Sequence, residues 1–238
     1  MSIFAVMFKF KHFTIDDSHC AHKVGTDGVL LGAWAAGGNR VLDIGTGSGL
    51  IALMMAQRFA EAQVEGLEMD DASARQAAEN FACSPYAARM VVRHCRLQDF
   101  VCPAEHYDAI VCNPPFFVRS LRNPDERKAH ARHEDSLPFE VLFESASRWL
   151  RSEGELSVIV PCEILEDITH KAKTFNLLPT QLILVKTTPH KQPKRALVAF
   201  RKDDGGRDFS TEKNEQILTL DGQKRSDWYA ELTRDFYL

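Results

Sequence analysis

From Arg40 onward the apolar residues fall alternately into short runs of strand length and longer stretches at helical spacing. The short runs predict strands over 40–44, 63–68, 90–94, 107–112 and 155–160, and the longer ones predict helices over 49–59, 72–81, 139–150 and 163–175. In the first helix Leu50, Ile51, Met54, Met55 and Phe59 make a wide apolar face, as a helix lying on a sheet requires. Strand and helix alternating in this order imply a parallel sheet covered on both sides. Upstream, 7–15 alternates well enough for a short strand or extended arm, and 23–28 is a turn into an apolar helix over 29–36, stopped by Gly37 and Gly38. Downstream the rhythm changes. Strands over 182–186 and 196–201 flank a Pro-rich loop, which predicts an antiparallel hairpin that ends the sheet. The tail offers a short strand at 217–220 and an amphipathic end with Trp228, Tyr229, Phe236 and Tyr237. The fold class is therefore α/β: a Rossmann-like, mostly parallel sheet with an antiparallel C-terminal hairpin and helices on both faces. Residues 1–36 form an N-terminal extension, and 37–238 form one domain.

Composition narrows the class. At 238 residues, 45% hydrophobic and 26% charged, the chain has the make-up of an ordinary globular protein. No apolar run approaches the ~18 residues of a membrane span, and the first residues lack the pattern of a secretory signal. Six scattered cysteines with no C-x-x-C spacing predict buried, reduced thiols and a cytoplasmic setting. The net charge of −4 argues against a chain that coats nucleic acid everywhere, but it leaves room for a local basic face. Two stretches qualify: one carries Arg119, Arg122, Arg127, Lys128 and Arg132, the other Lys186, Lys191, Lys194, Arg195, Arg201 and Lys202.

Candidate chemistry sits at the predicted strand ends. After the first strand, Asp43 precedes Gly45-Thr46-Gly47-Ser48-Gly49, which opens a helix. Glycine there lets the backbone turn tightly and approach a ligand, and the helix N-terminus offers free N–H groups. A dinucleotide fold places its third glycine one position later, over a pyrophosphate. An acid at the end of the strand would repel phosphate but suit an ammonium, which S-adenosylmethionine carries. Glu68, ending the second strand, can accept from ribose hydroxyls. Asp99 and Phe100, after the third, are placed to meet an adenine, while Asp70 or Asp71 caps the following helix.

The fourth strand runs into Asn113-Pro114-Pro115-Phe116. Asn113 offers a carboxamide oxygen, the prolines stiffen the backbone, and Phe116 supplies a π-face. At average composition such a tetrapeptide falls by chance in roughly 0.1% of chains of this length, so its position beside the glycine loop calls for a functional reading. It suits a flat, amine-bearing group held for methyl transfer. The nine histidines show no ligand spacing, so no metal is expected.

On these residues the chain resembles class I methyltransferases of the N6-adenine and N5-glutamine kind. In detail it is most similar to the bacterial tRNA1(Val) adenine-37 N6-methyltransferase family, through 10–15, 23–34 and 113–117. The resemblance implies S-adenosylmethionine as cofactor, with Asp43 on its amino group, Glu68 on its ribose and Asp99 on its adenine. Lys23, Thr26 and Asp27 would close over its methionine end. Asn113 and the Pro114 carbonyl would accept the two hydrogens of the target amine while Phe116 stacks on the base. Arg119, Arg122, Lys128, Lys191, Lys194 and Arg195 would hold phosphates of a tRNA, and the expected enzyme is a monomer that meets no membrane. The residues leave alternatives open: N5-methylation of a protein glutamine, N2-methylation of a ribosomal guanine, a nicotinamide-dependent oxidoreductase, or a non-catalytic RNA binder.

Overall fold

A computed structural model describes residues 7–114, 137–203, 205 and 211–238. Its main feature is an eight-stranded sheet. In chain order the elements are β1 (Met7–Lys9), β2 (Thr14–Asp16), α1 (Thr26–Trp34), β3 (Arg40–Ile44), α2 (Leu50–Arg58), β4 (Gln63–Glu68), α3 (Asp71–Ala82), β5 (Met90–His94) and β6 (Tyr107–Cys112). There follow α4 (Phe139–Trp149), β7 (Leu150–Pro161), α5 (Leu165–Thr174), β8 (Leu177–Lys186), β9 (Arg195–Lys202), β10 (Glu212–Ile217) and α6 (Asp227–Leu232). Across the sheet the order is β10-β8-β9-β7-β6-β3-β4-β5. The strands predicted from 40 to 112 stand where the sequence places them, and β7 extends beyond its predicted span at both ends.

Two expectations need correction. The helix predicted over 29–36 begins three residues earlier, so Thr26 and Asp27 occupy its first turn rather than a preceding loop. The C-terminal hairpin is antiparallel as expected, but it does not end the sheet: β10, running over 212–217 rather than 217–220, pairs parallel to β8 outside it. β9 is antiparallel to both β7 and β8, so among the described strands of the large sheet it alone runs backwards. The reason lies in burial. Ala196-Leu197-Val198-Ala199-Phe200 is apolar and buried throughout, which suits an interior strand covered on both faces. β8 is only half-buried, and β10 is polar and exposed, as an edge strand should be.

Strand alternation splits the core into two layers. Val41, Val64, Ala109 and Val111 face α1, α2 and α3, whereas Leu42, Ile44, Ile110 and Cys112 face α4 and α5. α2 is buried along almost its whole length because α1 covers the side turned away from the sheet. The two ends of the chain clasp each other on this layer. Lys11 N donates to Phe236 O (2.8 Å), Lys11 Nζ to Arg234 O (2.6 Å), and the rings of Phe10 and Tyr237 stack 6.0 Å apart, while Gln57 Nε2 of α2 donates to Asp235 O (2.8 Å). The cysteines are all free, as expected, but only Cys20, Cys102 and Cys112 are buried; Cys95 and Cys162 are half-buried and Cys83 is exposed. Among the described residues no helix is long and apolar enough to cross a membrane.

Candidate active site

Three strand ends meet at one rim. Ile44 of β3 lies opposite Cys112 of β6 on one side and Leu67 of β4 on the other. The chain therefore delivers Asn113, Gly45 and Glu68 side by side, about 5 Å apart from strand to strand. β9 enters the sheet antiparallel, so the 187–194 loop joining β8 to β9 stands at this same rim.

Asp43 shares the α2 side of the sheet with Val41 and is wholly buried. Its Oδ2 accepts from Thr46 Oγ1 (2.7 Å) and Ala52 N (3.1 Å), while Oδ1 has no partner. Burial pushes its pKa up to about 7, opposed by those two hydrogen bonds and assisted by the negative charge of Glu68. A buried acceptor without a donor beneath a glycine loop fits an incoming cation.

The glycine loop is fastened to β4. Gly45 N and Thr46 N donate to Leu67 O (2.8 and 3.0 Å), and Gly47 N donates to Glu68 Oε2 (2.9 Å). The other oxygen of Glu68 accepts from Asp70 N (2.9 Å). Each carboxylate oxygen keeps a second lone pair, so Glu68 can shape the loop and still receive hydroxyl donors. No atom lies within 4 Å of where a Cβ would stand on Gly45 or Gly47, which leaves open space over the loop. All three glycines have positive φ, but Gly49 differs in its surroundings: a Cβ there would collide with the Phe81 ring. Asp70 is the helix cap, accepting from Ser73 N (2.8 Å).

The N-terminal segment is tied to this loop by Asn80 of α3. Asn80 Nδ2 donates to Ser48 O and Asp16 O, both at 2.8 Å, and its Oδ1 accepts from Asp16 N (3.1 Å). Further on, Val24 N donates to Asp17 Oδ2 (2.8 Å), and Lys23 Nζ reaches back to Asp17 O (2.6 Å). The first turn of α1 follows an N-cap, Gly25, that has no side-chain oxygen to cap it. Asp27 in that turn accepts from Arg195 Nε at 2.7 Å. Asp99 is exposed in a short 3₁₀ turn after β5, and Phe100 beside it packs edge-on against Trp149, 5.3 Å between centroids.

A family model described as methyltransferase small domain matches residues 24–166. A Porphyromonas gingivalis protein named tRNA1(Val) (adenine(37)-N6)-methyltransferase is 44% identical over 241 residues, covering 97% of this chain and 94% of its own. Relatives of the same name from Bacteroides thetaiotaomicron (42% identical, 97% of each chain) and Flavobacterium johnsoniae (40%, 98% of this chain and 99% of its own) match as fully. The chain belongs to the tRNA1(Val) (adenine(37)-N6)-methyltransferase family. The crystal structure of a predicted O-methyltransferase from Agrobacterium tumefaciens aligns with a TM-score of 0.67 at 21% identity, over 88% of this chain and 96% of that one, and confirms the class I methyltransferase fold.

In this methyltransferase the structure brings Asp43, Gly45, Gly47, Glu68 and Asn113 together at one rim. It binds Asp27 to Arg195, two residues the sequence assigns to different ligands. Lys191 and Lys194 are exposed at the rim. Pro115, Phe116, Arg119, Arg122 and Lys128 lie outside the described residues. Sequence reasoning missed Asn80, Thr46 and Asp17. For Asn80 a signal existed: Ser73, Gln76 and Asn80 repeat at helical spacing beside the apolar stripe of Ala74, Ala77 and Phe81, marking a polar strip that is also buried.

Proposed function

We propose that this methyltransferase moves the methyl group of S-adenosylmethionine to N6 of an adenine in tRNA, adenosine 37 beside the anticodon of tRNA1(Val). The observation that carries the reading is the emergence of Asn113 from β6 directly beside the glycine loop from β3. A methyl donor seated on one and an amine held by the other are neighbours. The names of the relatives supply the substrate.

When bound, the cofactor contributes a methyl group on a cationic sulfur, already activated for transfer. The protein then binds and orients. Asp43 and its unpartnered oxygen take the ammonium, and Glu68 takes the ribose hydroxyls. Asp99 reaches the adenine amine. The uncapped first turn of α1, with Lys23, Thr26 and Asp27, faces the methionine carboxylate end. Residues 1–36 thus act as an extension over the cofactor.

The exocyclic nitrogen of adenine is a poor nucleophile because its lone pair is delocalised into the ring. Asn113 Oδ1 and the Pro114 carbonyl accept its two hydrogens, favour pyramidalisation and stabilise the positive charge that grows on nitrogen during attack. By analogy with oxyanion holes each such contact is worth about 3–4 kcal/mol. As the N–C bond forms the S–C bond breaks and its electron pair stays on sulfur, leaving S-adenosylhomocysteine, and one hydrogen then leaves the nitrogen as a proton to solvent. Phe116 stacks on the base once it has been splayed from the anticodon loop, which costs less than opening a duplex. Lys191 and Lys194 at the rim hold phosphates, and Arg119, Arg122 and Lys128 supply further cations for the same role.

Asn113→Ala is expected to lower turnover at least a hundredfold while S-adenosylhomocysteine affinity, read by calorimetry, stays within about threefold. Equal loss of both would place Asn113 in the cofactor half. Incubation with methyl-labelled cofactor and total RNA should deposit the label in N6-methyladenosine of tRNA. Label in guanine, or in protein glutamine when total protein is supplied, would reject the substrate.

A further inference from the structure

Asp27 and Arg195 stand 168 positions apart in the chain, one in the first turn of α1 and the other at the start of β9. The guanidinium of Arg195 spends at least two donors inside the protein. Nε donates to Asp27 Oδ2 at 2.7 Å, and Nη1 donates to the Lys194 carbonyl at 3.2 Å. That carbonyl also accepts from Cys162 N (3.2 Å), and Lys194 N donates to Val185 O (3.0 Å). Arg195 therefore joins the first turn of α1 to the point where the 187–194 loop is fixed to β7 and β8. The two side chains are 36% and 30% exposed, so their charges are screened less than those of a pair standing free in water.

The rest of α1 is held by apolar burial of Val29, Leu30 and Leu31, which fixes the helix body. Thr26 in the first turn is exposed, and a side chain caps neither Gly25 nor the turn itself. An ion pair at Asp27 supplies the missing anchor. We propose that Arg195 is a positioning residue for the cofactor, acting through Asp27, and not a phosphate ligand for RNA. This rests on the reading that the first turn of α1 covers the methionine end of the cofactor. It divides the basic loop by function: Lys191 and Lys194 face the RNA, while Arg195 serves the other substrate.

The test compares Arg195→Gln, Asp27→Asn, the exchanged pair Asp27→Arg/Arg195→Asp, and Lys191→Ala/Lys194→Ala. Each is assayed for S-adenosylhomocysteine affinity by calorimetry, KM for the cofactor, and tRNA affinity by filter binding. Arg195→Gln and Asp27→Asn should each raise the cofactor Kd and KM about three- to tenfold, the scale of a partly exposed ion pair, with tRNA Kd changed less than twofold. The exchanged pair should recover at least half of the lost affinity on a logarithmic scale, which independent contributions from the two residues would not produce. The lysine variant should weaken tRNA binding alone. The inference is overturned if Arg195→Gln behaves like the lysine variant, or if the exchanged pair binds cofactor no better than the single variants. Should Arg195→Gln fail to melt cooperatively, the exchanged pair measured against Asp27→Asn decides the question, because only a pair that positions the turn regains affinity when its charges are exchanged. A wild-type protein that binds no S-adenosylhomocysteine would overturn the functional reading itself, and this inference with it.

Discussion

Asp43 illustrates how a binding residue can be a burden on the fold that carries it. Its carboxyl is wholly buried, satisfied at one oxygen by Thr46 and Ala52 and unpartnered at the other. Burial raises its pKa from 3.8 to about 7. Between those values the folded chain holds a proton that the unfolded chain has released, so stability declines as pH rises through this window and the full penalty stands above about pH 7. The neutral isostere removes the penalty. Asp43→Asn should therefore stabilise the ligand-free protein at pH 8 by about 1–3 kcal/mol more than it does at pH 5, measured by urea unfolding at both. The same substitution should weaken S-adenosylhomocysteine binding, because only the carboxylate attracts an ammonium. For the wild type, affinity should fall as pH drops from 8 to 6. A variant that is destabilised at pH 8, with affinity unaltered, would show that the carboxylate serves packing alone.

At the scale of elements, the linkage from α3 to the glycine loop runs through one side chain. Asn80 satisfies Asp16 N–H, Asp16 C=O and Ser48 C=O together, joining β2 and the loop before α2. Truncation leaves three buried or half-buried polar groups without partners, each costing about 1–3 kcal/mol when water cannot reach it. Asn80→Ala is expected to destabilise by about 2–4 kcal/mol in urea unfolding. Asn80→Asp should do no better, since a carboxylate can still accept from Asp16 N–H but faces two carbonyls with nothing to donate. A loss below about 0.5 kcal/mol in either variant would show that water replaces the amide. The strands and helices from β3 to α5 were legible because each carries an unambiguous period, and the glycine loop because glycine alone suits its φ values at Gly45, Gly47 and Gly49. The position of β9 was less so. Its unbroken apolar run marks an interior strand, yet which neighbour it joins is decided by the shape of the sheet around it. β10, Glu-Lys-Asn-Glu-Gln-Ile, has the composition of a loop and becomes a strand only by pairing with β8 at an edge.

Over the whole molecule, seven of the described strands of the sheet run one way and β9 the other, which sets the glycine loop, Asn113 and the 187–194 loop at a single rim. The sequence revealed these segments separately. Their convergence depends on strand order, which no local pattern encodes. Asp27 and Arg195 show the limit most clearly, since a pairing across 168 positions leaves no trace in either neighbourhood. Convergence also resolves a conflict of charge. The chain carries a net −4, so at long range it repels a polyanion, and attraction must come from cations gathered at the rim. Each lysine that neutralises a phosphate releases a counterion and steepens the dependence of affinity on salt by roughly 0.7 in the log–log slope for unpaired strands. Lys191→Ala/Lys194→Ala should therefore flatten that slope by roughly 1.4, measured by fluorescence anisotropy with a labelled anticodon stem-loop between about 50 and 200 mM salt. The gap in affinity between variant and wild type should narrow as salt increases. If both proteins give parallel lines, these lysines touch no phosphate, and the attraction must arise from the cations of the 119–132 stretch instead.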